Sequence, residues 1–221
     1  MGFRKMGKRF FFIRENDVMG LLAVERPSGL VYLQFAIIPL FLPCLGNLYY
    51  SYGRRLNDLY YDFPVLDNEA DEEEIEEYCR MAIWRVEHDL LPQLKKISTG
   101  DALQKFAENG SKLFAKKHDS FIFCTPEEMK YLFMYSSLYI KDYKKALLAA
   151  KKYTSYVQKV KYWTEAVKAK KLHESNRIME AIISGKYEEI DEMFKRNIAE
   201  NLNLFPREKE NTRNTGDGSL C

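Results

Sequence analysis

A stretch of 21 consecutive uncharged residues, from Leu30 to Tyr50, most constrains how this chain can fold. Its length alone would allow a membrane-spanning helix, which needs about 20 apolar residues. However, Pro39 and Pro43 interrupt a helical hydrogen-bond ladder, and the many β-branched and aromatic residues favour strands. We therefore predict a buried strand followed by a loop, with no membrane contact. A membrane span is the alternative.

Two shorter apolar segments precede this stretch. Residues 9–15 and 18–26 have the composition of strands, and the uncharged stretch supplies a third over residues 30–38. Asn16-Asp17 and Pro27-Ser28-Gly29 are turn signals between them. Because such short connections join antiparallel neighbours, we predict a meander whose third strand, apolar on both faces, is central or covered by helices.

The character of the chain changes at Asp67. Nine acidic residues and no basic one lie between Asp62 and Glu77, where they suit the start of a helix. Apolar residues then recur three or four positions apart, which predicts one amphipathic helix. Its apolar stripe consists of Ile75, Tyr78, Cys79, Ala82, Ile83, Val86 and Leu90.

Further helices are predicted towards the C-terminus. Thr125-Pro126-Glu127-Glu128 is a helix start signal, and one long amphipathic helix is expected from the corner at Lys141-Asp142-Tyr143 to about Lys170. Two more follow, at 175–183 and 187–202. The predicted fold class is α+β: a small antiparallel sheet over 1–66, an all-helical region over 67–205 packed on it as one domain, and a disordered tail over 206–221.

The N-terminal residues carry a family resemblance. Gly2-Phe3-Arg4-Lys5, Gly7 and Phe10 form a GF[RK]KxGxxF segment, followed later by Ile38-Pro39-Leu40-Phe41 and Gly53-x-Arg55-Leu56. This pattern resembles bacterial domain families of unknown function that open with the same segment, and it covers about the first 100 residues. The resemblance implies an α+β fold and a bacterial or phage-like source, and it carries no catalytic residues. A helix usually precedes the segment in such families, so we expect a missing helix or an upstream start.

A second resemblance lies in the helical region. Residues 135–153 resemble the corner of a tetratricopeptide-type helical hairpin, including Tyr139, Tyr143 and Ala146, without the glycine expected at the turn. A similar corner recurs 44 residues later, with Tyr187 in the place of Tyr143. An ordinary hairpin of two helices is the alternative, because one or two units cannot form a solenoid.

Composition excludes several classes of function. Hydrophobic residues make up 46% of the chain, which excludes wholesale disorder, and a net charge of +2 does not by itself indicate a nucleic-acid binder. The four cysteines form no CxxC pair, and no secretory leader is recognisable, so we expect a cytoplasmic protein. Nucleophile and phosphate-loop motifs are absent from the sequence, so we expect no cofactor and lean towards a protein that is not an enzyme.

Lysines are concentrated between residues 141 and 171, where ten lysines accompany two acidic residues. Lys145, Lys152 and Lys159 recur every seven residues and share one helix face, which could neutralise the phosphates of a nucleic acid or another anionic partner. Two other interpretations are open: a solvated helix face, or contact with the acidic Asp67–Glu77 segment of this or another copy.

Two His-Asp pairs offer a metal site only in principle. His88, His118 and Asp119, with Asp142 as a fourth ligand, have the ligand types of a metal-dependent phosphohydrolase. Their spacing is not diagnostic, so we predict no metal centre and keep these residues as weak candidates.

A local excess of tyrosine is the best candidate for partner binding. Tyrosine supplies rigid contact area with a polar tip, as at protein interfaces. The cluster consists of Tyr49, Tyr50, Tyr52, Tyr60 and Tyr61. We predict that the chain is a non-catalytic protein-interaction protein and that its partner is another protein. An immunity or phage-defence accessory role is the form of this function that we expect. A nucleic-acid-associated protein and a metal-dependent phosphohydrolase are the alternatives, and the sequence leaves the oligomeric state open.

Overall fold

The first part of the chain forms one antiparallel sheet. The computed structural model describes residues 2–44, 52–113 and 125–205, and six strands pair within them. The strands are β1 (Arg4–Met6), β2 (Phe10–Glu15), β3 (Val18–Glu25), β4 (Leu30–Pro39), β5 (Tyr52–Arg55) and β6 (Leu66–Asp67). β1 to β5 follow one another across the sheet in chain order, and β6 pairs with the start of β4. The predicted three-stranded meander is therefore confirmed as β2, β3 and β4, and β1, β5 and β6 are additional strands.

Strand β4 is the central strand of this sheet. It pairs with β3 on one side and with β5 on the other, and every residue from Phe35 to Pro39 is buried. The prediction of a buried strand in the uncharged stretch is thus confirmed, while residues 45–50 of that stretch lie outside the described part. Among the described residues, no helix combines the length and the apolar character needed to cross a membrane.

Helices make up the rest of the described chain, so the predicted α+β fold class is confirmed. They are α1 (Leu56–Leu59), α2 (Glu72–Arg85), α3 (Leu91–Lys96), α4 (Gly100–Leu113), α5 (Pro126–Tyr139), α6 (Tyr143–Lys159), α7 (Glu165–Ile183) and α8 (Tyr187–Asn203). The predicted disordered tail, residues 206–221, lies outside the described residues.

Helix α2 continues into α3 through one π-helical turn at Val86–Leu90. Pro92 has no N–H group and cannot continue the ordinary hydrogen-bond ladder. In the wider turn the N–H of Leu91 donates to the carbonyl of Val86, five residues back. The chain therefore stays helical to Lys96, beyond the Leu90 at which the predicted stripe ends.

The predicted long helix from residue 143 to about Lys170 is wrong in its extent. Helix α6 ends at Lys159, and Val160 takes an extended conformation. Thr164 then begins a new helix, because its hydroxyl accepts a hydrogen bond from the N–H of Val167 and caps α7. The chain therefore turns back at residues 160–164, and α7 packs beside α6 instead of extending it.

The turn between β2 and β3 connects the sheet to two helices. Asn16 adopts a left-handed conformation, with φ of 47°, as the turn signal predicts. The Asp17 carboxylate accepts hydrogen bonds from the Gly100 N–H and the Tyr139 hydroxyl, both at 2.9 Å. Burial and this hydrogen bond raise the pKa of Tyr139 to about 12. One aspartate therefore fixes the start of α4 and the end of α5 against the sheet.

The two faces of the sheet are covered by different parts of the chain. On one face Leu33, Phe35 and Ile37 belong to the main core, which they share with the helices. Gly20 lies on this face, where a Cβ atom would meet Leu94 Cδ2 at 2.8 Å. The absence of a side chain at residue 20 therefore lets α3 approach the sheet closely.

The opposite face is covered by the end of α8. Phe12 of the sheet and Phe205 have ring centroids 5.0 Å apart. Two buried amides fasten the same helix to the chain just after β4. Asn197 Nδ2 donates to the Phe41 carbonyl oxygen at 2.9 Å, and Asn201 Nδ2 donates to the carbonyl oxygens of residues 40 and 42 at 2.9 and 2.8 Å. The last helix thus reaches back to the N-terminal sheet.

The two similar sequence corners have similar backbones. Lys141 and Gly185 occupy matching positions and both adopt the left-handed conformation, with φ of 64° and 67°. The rings of Tyr143 and Tyr187, which follow two residues later, stack with their centroids 4.4 Å apart. Lys141 therefore takes the left-handed conformation that glycine usually provides at a helix end. The first corner thus has the same backbone as the second without a glycine.

Candidate functional site

Helix α2 carries its apolar residues in two rows, only one of which is buried. Tyr78, Ala82 and Val86 face the core. Ile75 and Ile83 are 44% and 46% exposed, and Cys79 between them is also exposed. The prediction of one buried stripe is therefore wrong for these three residues, since a stripe of seven apolar residues is wider than the face that the helix turns to the core. We call Ile75, Cys79 and Ile83 the α2 ridge.

Acidic side chains surround the start of this helix. Asp71 caps α2: its carboxylate accepts from the Glu74 N–H at 2.9 Å, and its own N–H donates to the Glu74 carboxylate at 3.0 Å. Glu72, Glu73 and Glu76 are exposed beside the α2 ridge. The helix dipole favours this negative charge, so the acidic segment stabilises the helix as well as giving its surface a strong negative potential.

The inner face of α2 packs on the sheet through Tyr78. The Tyr78 hydroxyl donates to the Val31 carbonyl at 3.4 Å, and its ring lies 5.0 Å from that of Phe63. Burial raises the pKa of Tyr78 to about 12. The α2 ridge therefore lies on a helix whose opposite face packs in the main core.

The tyrosines predicted to bind a partner are found in three different settings. Tyr52 is buried in β5, so it is not available at the surface. Tyr60 is half-buried, and Tyr61 is 101% exposed. Tyr49 and Tyr50 lie outside the described residues. β5 thus turns the Tyr52 side chain into the core, whereas Tyr60 lies beside α2. Partner binding by these tyrosines stays a prediction.

Arg85 connects the tyrosine segment to α2. Its guanidinium group lies 4.2 Å from the Tyr60 ring centroid and forms ion pairs with Asp62 at 2.8 Å and Asp89 at 3.0 Å. It also lies 4.9 Å from the ring centroid of Trp84, which is 49% exposed. Burial, followed by the charge of Asp89, raises the pKa of Tyr60 to about 12. Arg85 therefore joins the acidic helix and the tyrosine segment into one surface. Trp84 belongs to this surface, and the sequence pattern did not indicate it.

The lysines predicted to bind anions differ in their surroundings. Lys145 is half-buried, and its Nζ lies 3.0 Å from the carboxylate of Glu108. Lys152 and Lys159 are exposed and join no ion pair within the described part of the chain. The three lysines share a helix face as predicted, but the charge of Lys145 is already balanced by a carboxylate of the same chain.

The structure gives no metal centre within residues 2–44, 52–113 and 125–205, where no three metal-ligating side chains come together. His88 stacks on Trp84 with centroids 4.8 Å apart, and its Nδ1 lies 2.9 Å from the Trp84 carbonyl oxygen. His118 and Asp119 lie outside the described residues, so the candidate ligand set is not tested.

The chain was compared with protein-family models, with curated proteins and with solved structures, and none of them matches it.

Proposed function

We propose that this chain is a cytoplasmic, non-catalytic protein-interaction protein that binds a basic helical segment of another protein on α2. The observation that carries this proposal is the α2 ridge: Ile75, Cys79 and Ile83 leave apolar surface in water on a helix whose first turns carry five glutamates. Contiguous exposed apolar surface, rimmed by charge, is typical of protein interaction sites.

The spacing of the ridge defines the shape of the partner. Residues four apart form a ridge along a helix, and such ridges pack into the groove of a second helix. We therefore expect an amphipathic helix whose apolar residues recur three or four positions apart.

The charge around the ridge defines the chemistry of the partner. Glu72, Glu73 and Glu76 are exposed around the ridge, so lysines or arginines are expected to flank the apolar face of the partner. Proteins that act on nucleic acids carry such basic surfaces. An immunity-type or phage-defence accessory role in a bacterium, in which this chain covers the basic surface of a toxin, would use the α2 surface in this way.

The test begins with capture of a partner by the affinity-tagged chain from cells of its source, followed by affinity measurement with the purified partner. We expect Ile83→Glu to weaken binding at least about tenfold, because it places a charge in the apolar contact. Leu148→Glu is the matched control, since Leu148 is 52% exposed on α6, away from α2. Equal binding by wild type and both variants would contradict the proposal.

Charge is tested separately from apolar contact. We expect Glu72→Lys and Glu76→Lys together to slow association and to reduce the salt dependence of binding, because exposed charges act mainly on the association rate. Binding that is insensitive to salt and to both substitutions would exclude a basic partner.

One observation favours a second candidate function. Lys152 and Lys159 are exposed on one face of α6 without an ion pair among the described residues, as a nucleic-acid-binding surface would require. Retention on heparin at moderate salt that is lost in Lys152→Glu and Lys159→Glu would support this second function. Retention that is unchanged in both variants would exclude these lysines.

A further inference from the structure

A cavity of about 430 Å³ lies between the end of β4, the start of α5, the first turns of α7 and the end of α8. Its volume falls in the range of small-molecule sites, and most of its described wall is apolar. The apolar wall includes Ile38, Pro39, Leu42, Pro43, Val167 and Leu204, with the aromatic side chains of Tyr52, Tyr131 and Trp163.

Three glutamates and two lysines also line this cavity: Glu127, Glu128, Glu174, Lys170 and Lys171. Glu127 and Glu174 differ in how their charge is balanced. Glu127 Oε1 lies 2.6 Å from the Nζ of Lys171, so its negative charge is compensated. Glu174 accepts hydrogen bonds at the same oxygen, Oε1, from the hydroxyls of Tyr131, at 2.6 Å, and Tyr135. Among the described residues, no lysine, arginine or histidine forms an ion pair with Glu174.

Two tyrosines orient the Glu174 carboxylate without neutralising it. Burial raises the pKa of Tyr131 and of Tyr135 well above the usual value, so both hydroxyls remain neutral donors at physiological pH. A neutral donor satisfies an oxygen lone pair and leaves the negative charge in place. Such a carboxylate, partly withdrawn from water, gains most from a cationic partner that brings its own N–H donors.

We propose that this cavity binds a small organic amine: an ammonium group on Glu174, with an aliphatic or aromatic body against the apolar wall. The aromatic ring of Tyr131, which lines the same cavity, adds cation–π attraction for the ammonium group. The ring of Trp163 already has the Nζ of Lys171 4.9 Å from its centroid, so Trp163 contributes apolar contact to the ligand body. The cavity is separate from the α2 ridge. A failure of amine binding is therefore distinguishable from a failure of the proposed partner binding.

The probes are three compounds of similar size: 2-phenylethylamine, 2-phenylethanol and 3-phenylpropionate. Binding is followed by calorimetry and by the fluorescence of Trp163 in a Trp84→Phe variant, in which Trp163 is the only remaining tryptophan. We expect the amine to bind more tightly than the alcohol by about tenfold or more, and the carboxylate to bind least. Tighter binding of the carboxylate, equal binding of all three compounds, or no binding of any of them would overturn the proposal.

Two variants locate the binding. We expect Glu174→Gln to lose the preference for the amine while it still accepts both tyrosine hydroxyls, so that the alcohol binds as before. Glu180→Gln is the matched control, because Glu180 is exposed on the same helix. Val167→Phe fills part of the cavity and is expected to weaken all binding. A preference for the amine that survives Glu174→Gln would assign the ammonium group elsewhere and contradict the proposal.

Discussion

At the scale of single residues, Asn197 and Asn201 show how buried amides hold a helix on a sheet. Both side chains are buried, and their N–H groups satisfy three consecutive backbone carbonyls of the segment after β4. This segment leaves the sheet and makes no strand, so those carbonyls have no strand partner. A buried carbonyl without a hydrogen bond destabilises the folded state. We therefore expect these two asparagines to contribute strongly to the free energy of unfolding.

We expect Asn201→Leu to lower the free energy of unfolding by about 2–4 kcal/mol, because it leaves two buried carbonyls without their donor. Asn197→Leu makes the same change of shape but leaves only one carbonyl without its donor. We therefore expect it to lower the free energy of unfolding by about 1–2 kcal/mol. Urea denaturation of both variants measures the difference. Equal losses would show that helix packing, and not the hydrogen bonds, sets the cost.

At the scale of elements, helix ends decide where the chain turns. α2, α5 and α7 each begin with a side chain that accepts a backbone N–H, at Asp71, Thr125 and Thr164. These caps fix the first turns of helices that follow irregular segments. All three capping residues lie at the surface, and the α2 cap has a matched control in Glu73 of the same turn.

We expect Asp71→Ala to destabilise the protein by about 1 kcal/mol, the typical cost of losing a helix cap. Glu73→Ala lies in the same turn and removes the same charge without removing a cap, so a change within about 0.5 kcal/mol is expected. Thermal denaturation followed by circular dichroism compares them. If the two variants are equally stable, the charge of the segment is responsible and not the cap.

The order and type of most elements could be predicted from the sequence, because turn signals and capping residues are local. Asn16-Asp17 and Thr125-Pro126 each mark an element boundary that the structure confirms. The break at residues 160–164 was missed, because it contains no glycine or proline and the Thr164 cap is its one local signal. Helix α4 continues through Gly110 to Leu113, although glycine is a poor helix former. Packing decides such boundaries more than propensity does.

At the scale of the whole molecule, buried and half-buried tyrosines link the helices to the sheet and to one another. Burial raises the pKa of Tyr60, Tyr78 and Tyr139 to about 12, and that of Tyr153 further still. In the unfolded chain these groups titrate near 10. The folded state therefore keeps protons that the unfolded state has released, so stability falls as the pH rises from 10 towards 12.

We expect the protein to keep its full stability below pH 10 and to unfold cooperatively in the interval between pH 10 and 12. Tyrosinate absorbance and far-ultraviolet circular dichroism, recorded on the same samples, measure this. The absorbance of the buried tyrosines should rise together with the loss of helix. Complete tyrosine ionisation in a protein that keeps its helical signal would contradict the assignment of these side chains to the core.

The candidate sites were harder to predict from the sequence than the fold, because they join distant residues. The sequence indicated the acidic helix and the tyrosine segment, and Arg85 connects them in the structure. It did not show that Ile75, Cys79 and Ile83 stay in water, since the 3.6-residue period gives the width of an apolar stripe but not the width of the surface that covers it. Glu174 and Tyr131 are 43 residues apart, and no local pattern connects them.

The hydrogen bonds of Asn201 can form only late in translation. The amide and its acceptor at Leu40 are 161 residues apart. At about 5–20 residues per second, the ribosome makes Asn201 roughly 8–30 s after Leu40. Throughout that interval one surface of the newly made sheet has no helix to cover it, because α8 does not yet exist. The duration of this vulnerable intermediate is therefore governed by the speed of translation, and slow codons between the two positions would lengthen it.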